Sequence, residues 1–443
     1  MTQREKLDAI VIGAGTRGLV TAYMLSQLGY KAALVDKAPQ IGSGDGSFQA
    51  ADGTWFDFGM HVLDEMRSPL ATHLFTHVLD GRVQRTKLNR GIVLRECLIP
   101  YAPEPRDLPA ELRRLLRDDD LVDDIGDDLP TRERLTRYYG TGFADLIFDE
   151  VLPSYPSEHR HLQFGVDEAE LLVNIYPWFF PRARRTPKQA DRSRAFHDKL
   201  RIGVEQHVLY PLEGGFGEFG RALVRKCDPR LIEVITGMRD IEIALEPDGR
   251  NIDCIRGAGR CLAADTYFWA SGWPELCRLL GLECQNPSTD RIVLGSFRLD
   301  RPARTDFHEI LVGTPEHLIN RIHFPGAFRG TDEALMQIEF AFPVAESRPL
   351  TPEFWQSAWT ESTKALGILS PQHRVEVFDF KTRTLHFNGY GMEGVRLIDA
   401  DASRVDPTTN IHPVVPSMAN LNMNDHLPRD IAYVASVLAR AGS

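Results

Sequence analysis

The chain has 443 residues, 43% of them hydrophobic, and a formal net charge of -11. That length exceeds a single simple core, so we expect two or three closely joined domains. No basic tract dominates, and nucleic acid is not expected as a partner, because phosphate binding needs a concentrated positive surface. No apolar stretch has the length of a signal-peptide core or a bilayer span, which predicts a soluble, cytoplasmic protein without a membrane partner.

The cysteines give no sign of a metal site or a disulfide framework. None belongs to a C-x-x-C pair, and none stands beside histidines at the spacing of zinc ligands. We therefore expect reduced, buried thiols and no metal. The cysteines are Cys97, Cys227, Cys254, Cys261, Cys277 and Cys284.

The first chemical signal is a glycine-rich turn behind an apolar strand. Leu7–Ile12 is short and apolar, as a buried parallel strand is, and the helical stretch Leu19–Leu28 follows the turn. Gly13 permits a tight turn, Gly15 lets the backbone approach a pyrophosphate, and Gly18 lets helix and strand pack closely. In this context the glycines predict a dinucleotide site, with a structural relic that binds nothing as the alternative.

A second strand and a carboxylate complete this pattern. Lys31–Val35 predicts the strand, and Asp36 follows it, where an acid can accept hydrogen bonds from a ribose hydroxyl. The residues expected to bind the cofactor at this end are Gly13, Ala14, Gly15, Arg17, Gly18, Asp36 and Lys37.

Beyond Asp36, the stretch Gly42-Ser43-Gly44 resembles part of a large FAD family. That family includes amine oxidases, protoporphyrinogen oxidases, phytoene desaturases and UDP-galactopyranose mutases, which carry a second glycine pair along the flavin side of FAD. Ser43 interrupts the pair here. The resemblance implies FAD as the cofactor and adds Gly44 to the expected contacts.

The segment Trp55–His61 resembles the stretch that these flavoproteins place against the isoalloxazine ring. An aromatic, an acid, an aromatic, a glycine and a histidine occur in the family's order. The resemblance implies that Gly59, Met60 and His61 contact the cofactor. The alternative is a hairpin strand with a structural histidine, since a lone histidine has many ordinary roles.

The segment Tyr210–Gly217 resembles the family's tyrosine-proline-x-x-glycine-glycine turn, at which the chain returns to the cofactor domain. In that resemblance, Val234 supplies a backbone contact to FAD, and Ser271 lies near the cofactor at a strand end. We predict a helix at Glu218–Lys226 and strands at Leu231–Thr236 and Ala264–Ser271.

Near the C-terminus, Asn422-Met423 resembles an element of galactopyranose mutases and their relatives. In those proteins, backbone N–H groups and a helix N-terminus face the pyrimidine edge of the flavin. Such a positive dipole would stabilise the negative charge of reduced flavin. Asn424 replaces the aspartate usual in the motif, and we predict the following helix at His426–Arg440.

The middle of the chain offers candidates for a substrate site. Ile175–Arg201 mixes aromatic residues with arginines, which suits an anionic substrate, although a surface arginine cluster is the alternative. Arg291–Arg383 is rich in strands and predicts an antiparallel floor for the substrate domain. Arg321 resembles a recurring arginine of the family, with an exposed strand arginine as the alternative. We predict helices at Tyr138–Leu152 and Pro352–Leu369.

Together these patterns predict an α/β fold with a Rossmann-type, glutathione-reductase-like FAD-binding domain and an inserted α+β substrate domain containing a mostly antiparallel sheet. The expected domains are 1–95, 205–290 and 385–443 for FAD, and 96–204 and 291–384 for substrate. The expected function is an FAD-dependent oxidoreductase that transfers hydride from a small polar, anionic metabolite to flavin. We expect His61 as the acid/base, with Arg321 and Arg383 orienting the substrate. The alternatives are a non-redox sugar-nucleotide mutase resembling UDP-galactopyranose mutase, and a noncatalytic flavin-binding protein.

Overall fold

The structure is a computed structural model that describes residues 4–42, 46–65, 68–100, 108–115, 132–133, 136, 140–151, 207–238, 241–247, 249–282, 288–387, 409–414 and 423–441. The predicted aromatic-arginine segment Ile175–Arg201 lies outside these residues, as do Gly44 and Asn422. The described strands, in chain order, are β1 (Arg4–Ile12), β2 (Ala32–Val35), β3 (Ser47–Gln49), β4 (Trp55–Asp57), β5 (Leu63–Asp64), β6 (Val83–Lys87), β7 (Arg90–Leu94), β8 (Cys97–Pro100), β9 (His207–Pro211), β10 (Ile232–Ile235), β11 (Glu242–Leu245), β12 (Ile252–Gly257), β13 (Arg260–Trp269), β14 (Ser288–Leu299), β15 (Glu309–Val312), β16 (Arg321–His323), β17 (Leu335–Pro343), β18 (Val375–Phe387) and β19 (Ile411–Pro413).

The helices alternate with these strands. The described α-helices are α1 (Thr16–Gln27), α2 (Pro69–Val78), α3 (Ala110–Arg113), α4 (Thr141–Asp145), α5 (Glu218–Lys226), α6 (Trp273–Leu280), α7 (Pro325–Arg329), α8 (Pro352–Ala365) and α9 (Met423–Ala441). A π-helical stretch, Leu146–Val151, continues α4, and Pro315–His317 forms a turn of 3₁₀-helix.

The chain forms two compact units, each assembled from separate segments. The first unit comprises Met1–Gln84, Leu209–Pro287 and Glu393–Ser443, and the second comprises Arg85–Val208 and Ser288–Met392. The cofactor and substrate roles expected of the two parts remain a proposal.

In the first unit, seven of the described strands form one sheet. Its order is β10-β2-β1-β13-β12-β11, and β19 also pairs with β13. Strands β10, β2, β1, β13 and β19 run parallel to one another, whereas β12 pairs antiparallel with β13 and β11 pairs antiparallel with β12 at the edge. Strand β1 is central and its apolar residues are buried, because both of its faces are covered. This arrangement confirms the predicted Rossmann-type fold.

The helix ends differ in places from the sequence prediction, for local reasons. Helix α1 begins at Thr16 rather than Leu19, because Gly15 has the extended backbone of an N-cap and the helix starts inside the glycine turn. Helix α8 ends at Ala365 rather than Leu369, where Gly367 adopts a left-handed φ of 70°. Helix α5 has the predicted bounds.

The second unit contains another sheet of seven described strands, in the order β18-β14-β17-β16-β15-β7-β8. Its neighbours are antiparallel except for the parallel pair β15 and β7, which agrees with the predicted mostly antiparallel sheet. Trp355 and Trp359 of α8 are fully buried against one face of it, in a cluster with Phe297 and Ile338. The other face carries charged residues such as Glu309 and Arg321.

Strands β7 and β8 were not predicted, and they change the expected boundary between the parts. Residues 85–95 were placed with the cofactor domain, but the structure includes them in the second unit. There Arg90–Leu94 pairs with Glu309–Val312 through parallel backbone hydrogen bonds. Sequence order alone could not show that pairing.

Candidate functional site

The three glycines of the turn in the first unit have different surroundings: Gly13 and Gly18 pack against backbone, and Gly15 does not. A Cβ atom on Gly13, whose φ is 105°, would lie 2.7 Å from the carbonyl oxygen of Ala270. A Cβ atom on Gly18 would overlap the carbonyl oxygen of Gly13. At Gly15, by contrast, the structure describes no atom within 4 Å of an added Cβ. The described residues therefore leave space open beside Gly15 at the N-terminus of α1, where an anion is favoured.

Asp36 connects the ends of β1 and β2. Its Oδ2 atom accepts a hydrogen bond of 2.5 Å from the Ala14 N–H, and its Oδ1 atom accepts one of 2.7 Å from the Ala38 N–H. A carboxylate has about four acceptor positions, so these two bonds leave capacity for the hydroxyls of a ribose. The acid both fixes the turn and presents an acceptor.

A cleft with a volume of about 310 Å³ opens at the carboxyl ends of β1, β2 and β13. Ligands of open parallel sheets bind at this edge, where the chain connections diverge. Of the residues predicted to bind the cofactor, Gly13, Asp36, Lys37 and Ser271 line it. The other predicted residues that the structure describes do not belong to the lining, among them Ala14, Gly15, Arg17, Gly18, Val234 and Gly59–His61. The remaining lining residues are Ile12, Val35, Ile241, Glu242, Ile243, Trp269, Glu275, Arg278 and Leu279.

Val234 lies instead in the edge strand β10, where it pairs with Leu34. The cleft residues that the sequence did not single out come mainly from α6 and from the start of β11. Glu275 is the polar centre of this group, since it approaches the Lys37 Nζ atom at 3.5 Å and accepts a hydrogen bond of 3.4 Å from Ser271. Only the sheet order shows that α6 borders the cleft.

Arg17 stands in the first turn of α1, where the helix dipole disfavours a cation. Its guanidinium lies 3.7 Å from the carboxylate of Asp430 in α9, which is 4% exposed. The second carboxylate oxygen of Asp430 is 3.2 Å from the Nδ1 atom of His426. The C-terminal helix therefore supplies a counter-charge to the helix that begins at the glycine turn.

Asp57, at the end of the hairpin formed by β3 and β4, is a buried acid with strong hydrogen bonds. It is 2% exposed. Its Oδ1 atom accepts hydrogen bonds from the Ser47 hydroxyl at 2.5 Å and the Phe216 N–H at 2.8 Å, and its Oδ2 atom accepts one from the Tyr210 hydroxyl at 2.6 Å. Burial raises the pKa of Asp57, against the opposing effect of these donors and of the nearby His61.

This acid explains the glycines of the Tyr210–Gly217 turn. A Cβ atom on Gly215, whose φ is 68°, would lie 2.5 Å from the Ser47 hydroxyl oxygen and 2.6 Å from Asp57 Oδ1. The Gly217 N–H donates to the Ser47 hydroxyl at 2.7 Å, and a Cβ atom there would lie 2.5 Å from the Ser47 nitrogen. The turn needs glycine because its backbone approaches the hairpin directly.

His61 follows Asp57 in the same segment and is partly buried. Its ring centroid lies 5.8 Å from that of Phe216. The Nε2 atom is buried, and no residue that the structure describes forms a hydrogen bond with it. A buried imidazole nitrogen without a partner is costly, which suggests a partner supplied by a ligand. Gly59 and Met60 lie beside it, and Gly59 has a φ of 114°.

Arg321 and Arg383 lie in the second unit, on the same face of its sheet, three strands apart. The Arg321 Nε atom is 3.0 Å from Glu339 and 3.3 Å from Glu309. Arg90 pairs with Glu309 as well, and Glu309 is 2% exposed. The charge of Arg321 is thus balanced by glutamates, so its expected role toward a substrate anion remains a prediction. His61, the third residue predicted to be catalytic, belongs to the other unit.

Among the described helices, none combines the length and hydropathy needed to cross a bilayer. In the same part of the chain, no group of three or more histidine, cysteine, aspartate or glutamate residues has an arrangement suited to a metal ion.

Sequence comparison locates a family match at the glycine turn. A family model described as NAD(P)-binding Rossmann-like domain matches residues 11–78. The 15-cis-phytoene desaturase, chloroplastic/chromoplastic, of Narcissus pseudonarcissus is 34% identical over 56 residues. That match covers 13% of this chain and 10% of the desaturase, so it concerns one local region of a longer protein.

Structural comparison extends over almost the whole chain. The crystal structure of reduced UDP-galactopyranose mutase is similar with a TM-score of 0.70 and 16% identity, covering 99% of this chain and 96% of that one. A protein of Exiguobacterium sp. 255-15, provisionally assigned as a protoporphyrinogen oxidase, gives a TM-score of 0.67 and 14% identity, covering 99% of each chain. At the level of the fold, these similarities confirm the predicted resemblance to the group that includes UDP-galactopyranose mutases and protoporphyrinogen oxidases.

Proposed function

We propose that this chain is an FAD-dependent oxidoreductase that takes hydride from a small polar, anionic metabolite. The observation that carries the cofactor assignment is a glycine turn at the N-terminus of α1 where the described residues leave space beside Gly15, together with a cleft lined by Gly13 and Asp36. These features fit a dinucleotide: the helix N-terminus suits a pyrophosphate, and the carboxylate suits a ribose.

The chain's own residues would divide the binding of FAD between them. Gly13 and Gly18 allow the turn to pack, Gly15 leaves room for the pyrophosphate, and Asp36 accepts the ribose hydroxyls. Glu275 and Lys37 border the same cleft. FAD would supply the capacity to accept a hydride from a substrate carbon. The protein's task is then to orient the substrate and to exclude competing reactions.

His61 is the candidate that would exchange a proton with the substrate. Its Nε2 atom is buried and has no partner among the described residues, so it is available to a bound molecule. Histidine is the side chain that serves most often as a general acid or base in enzymes. The segment that carries His61 follows the hairpin directly, since β4 ends at Asp57, which binds Tyr210 and Phe216 through hydrogen bonds.

The first experiment is to purify the protein, record its visible spectrum and identify any flavin released on denaturation. Two absorption bands in the near-ultraviolet and the blue, with release of FAD, are expected. A protein that stays colourless after addition of FAD would contradict the cofactor assignment and favour a nicotinamide instead.

The second experiment tests the reaction class under anaerobic conditions. Small anionic metabolites are added separately to the oxidised and the dithionite-reduced protein. Bleaching of the oxidised flavin by a metabolite supports the oxidoreductase. Turnover by the reduced protein alone, without net loss of electrons, would instead indicate a sugar-nucleotide mutase. FAD that responds to none of the metabolites in either state would favour a noncatalytic flavin-binding protein.

A pair of histidine variants tests the role of His61 in that reaction. His61→Ala should bind FAD but bleach about 100-fold more slowly, the scale of general acid–base catalysis. His73→Ala is the control, because His73 is exposed on α2. Equal bleaching rates in both variants would exclude His61 as the acid or base.

A further inference from the structure

Three stretches of the first unit meet at the carboxylate of Asp57. One is the start of β3 at Ser47, the second is the end of β9 at Tyr210, and the third is the turn at Phe216. All of these bonds are short and run to an acid that is almost completely removed from solvent. Hydrogen bonds to a buried charged acceptor are among the stronger ones in proteins.

Two segments that the sequence relates to FAD lie beside the residues that meet here. Ser47 closely follows the glycine pair at Gly42 and Gly44, and Asp57 itself leads directly into Gly59–His61. The backbone also joins these regions, since the Phe58 N–H donates to the Gly46 carbonyl at 3.0 Å. A single buried acid therefore lies where two of the segments predicted to approach the cofactor meet.

A packing path leads from Asp57 to His61. Asp57 accepts a hydrogen bond from the Phe216 N–H, and the ring centroid of Phe216 lies 5.8 Å from that of His61. The Phe216 ring is itself enclosed, with Tyr210 at 6.3 Å and Phe75 at 5.6 Å. Phe216 is 1% exposed, so it cannot shift without disturbing the aromatic residues around it.

We propose that Asp57 is a positioning residue: by binding Ser47, Tyr210 and Phe216 at one point, it fixes the orientation of the cofactor-facing segment Gly59–His61. This inference rests on the proposed function, since it assumes that the segment contacts FAD. Asp57 itself acts through Phe216 and the hairpin, and it transfers no proton to the substrate.

The test compares two tyrosine-to-phenylalanine substitutions, each of which removes one buried hydroxyl group. Tyr210→Phe removes the hydroxyl that binds Asp57. Tyr267→Phe is the matched control: Tyr267 is fully buried in the same unit, and its hydroxyl bonds with the Ala264 N–H at 3.0 Å and the Asp253 carbonyl at 3.3 Å. The measurements are the thermal midpoint of the flavin-free protein, the Kd for FAD and the visible spectrum of the bound flavin.

We expect both variants to lower the thermal midpoint to a similar extent. Tyr210→Phe should also raise the Kd for FAD about tenfold and shift the flavin absorption bands, whereas Tyr267→Phe should change the Kd less than about twofold. Asp57→Asn, which replaces one acceptor oxygen with an NH₂ donor, should change both flavin readouts further than Tyr210→Phe does.

The outcomes distinguish this inference from the proposed function. If the unaltered protein binds no FAD, the proposed function fails and the inference fails with it. If the unaltered protein binds FAD and the two tyrosine variants match it in affinity and spectrum, the inference alone is overturned, and Asp57 serves only the stability of the fold.

Discussion

The two alanine variants Gly15→Ala and Gly18→Ala separate cofactor binding from folding within one turn. Gly15 has φ -72° and ψ 177°, which any L-residue adopts, and no described atom lies within 4 Å of an added Cβ. A Cβ on Gly18 would instead overlap the Gly13 carbonyl oxygen. The same added methyl group therefore meets empty space at one position and backbone at the other.

The expected energies follow from these surroundings. At Gly18, alanine gains about 1 kcal/mol of helix propensity but incurs about 3 kcal/mol or more of overpacking, so the net loss of unfolding free energy is about 2 kcal/mol or more. At Gly15, the reduced entropy of the unfolded chain and the slightly poorer N-cap nearly cancel, so the flavin-free protein should change by less than about 0.5 kcal/mol.

FAD affinity should instead be reduced in the Gly15→Ala variant, whose stability is nearly unchanged. The methyl group of Gly15→Ala occupies the space assigned to the pyrophosphate, and the Kd for FAD should rise at least about tenfold, or about 1.4 kcal/mol. Urea unfolding of the flavin-free proteins and titration with FAD, followed by the quenching of flavin fluorescence, measure the two effects. Gly15→Ala protein with unchanged FAD affinity would refute the placement of the pyrophosphate, and fully stable Gly18→Ala protein would refute the packing argument.

Three further predictions concern stability. Burial lowers the pKa of His412 to about 4, so the stability that its neutral ring contributes is present above its ordinary pKa near 6.5 and is lost as the pH falls toward 4. In urea unfolding at pH 7 and pH 4, His412→Gln should lose about 1–3 kcal/mol less stability than the unaltered protein between the two pH values, allowing for solvent screening of a half-buried ring. The same loss of stability in both proteins would contradict the assignment. In chemical denaturation, Gly215→Ala should destabilise the protein by about 2 kcal/mol more than Gly237→Ala does. Both glycines have a positive φ, but an added Cβ meets close neighbours at Gly215, whereas at Gly237 its nearest atom is 3.9 Å away. Similar losses of unfolding free energy in the two variants would show that φ alone matters. Arg321→Met should cost about 3 kcal/mol, because it leaves the buried Glu309 with less compensating charge, and a change below about 0.5 kcal/mol would favour an arginine held for the substrate alone.

The beginning of the fold was predictable because its signals are local. The apolar run Leu7–Ile12, the glycines and the terminal acid Asp36 lie close together in sequence, and each has one main structural use. Helix α5 was predicted with its observed bounds for the same reason. The extra turn at the start of α1 was missed, because the glycine pattern does not show which of its residues begins the helix.

The rest depends on pairings between distant segments. The cleft is completed by Ile241 and Arg278, which become neighbours of Gly13 only once the sheet order is known. The aspartate in Trp55–His61 was visible in the sequence, but its hydroxyl and N–H partners lie in other stretches of chain. The glutamates that balance Arg321 likewise come from two separate strands. No spacing rule relates such residues.

The pairing of β1 with β13, and of β13 with β19, has a consequence for synthesis. Ile12 lies beside Trp269, which in turn lies beside Pro413, so the central sheet of the first unit draws on both ends of the chain. On the ribosome, the apolar strand that precedes the glycine turn must wait for partners that emerge much later. Non-local pairing of this kind slows folding and leaves strand edges unpaired in the meantime. Production of the protein should therefore depend strongly on growth temperature and on chaperone supply.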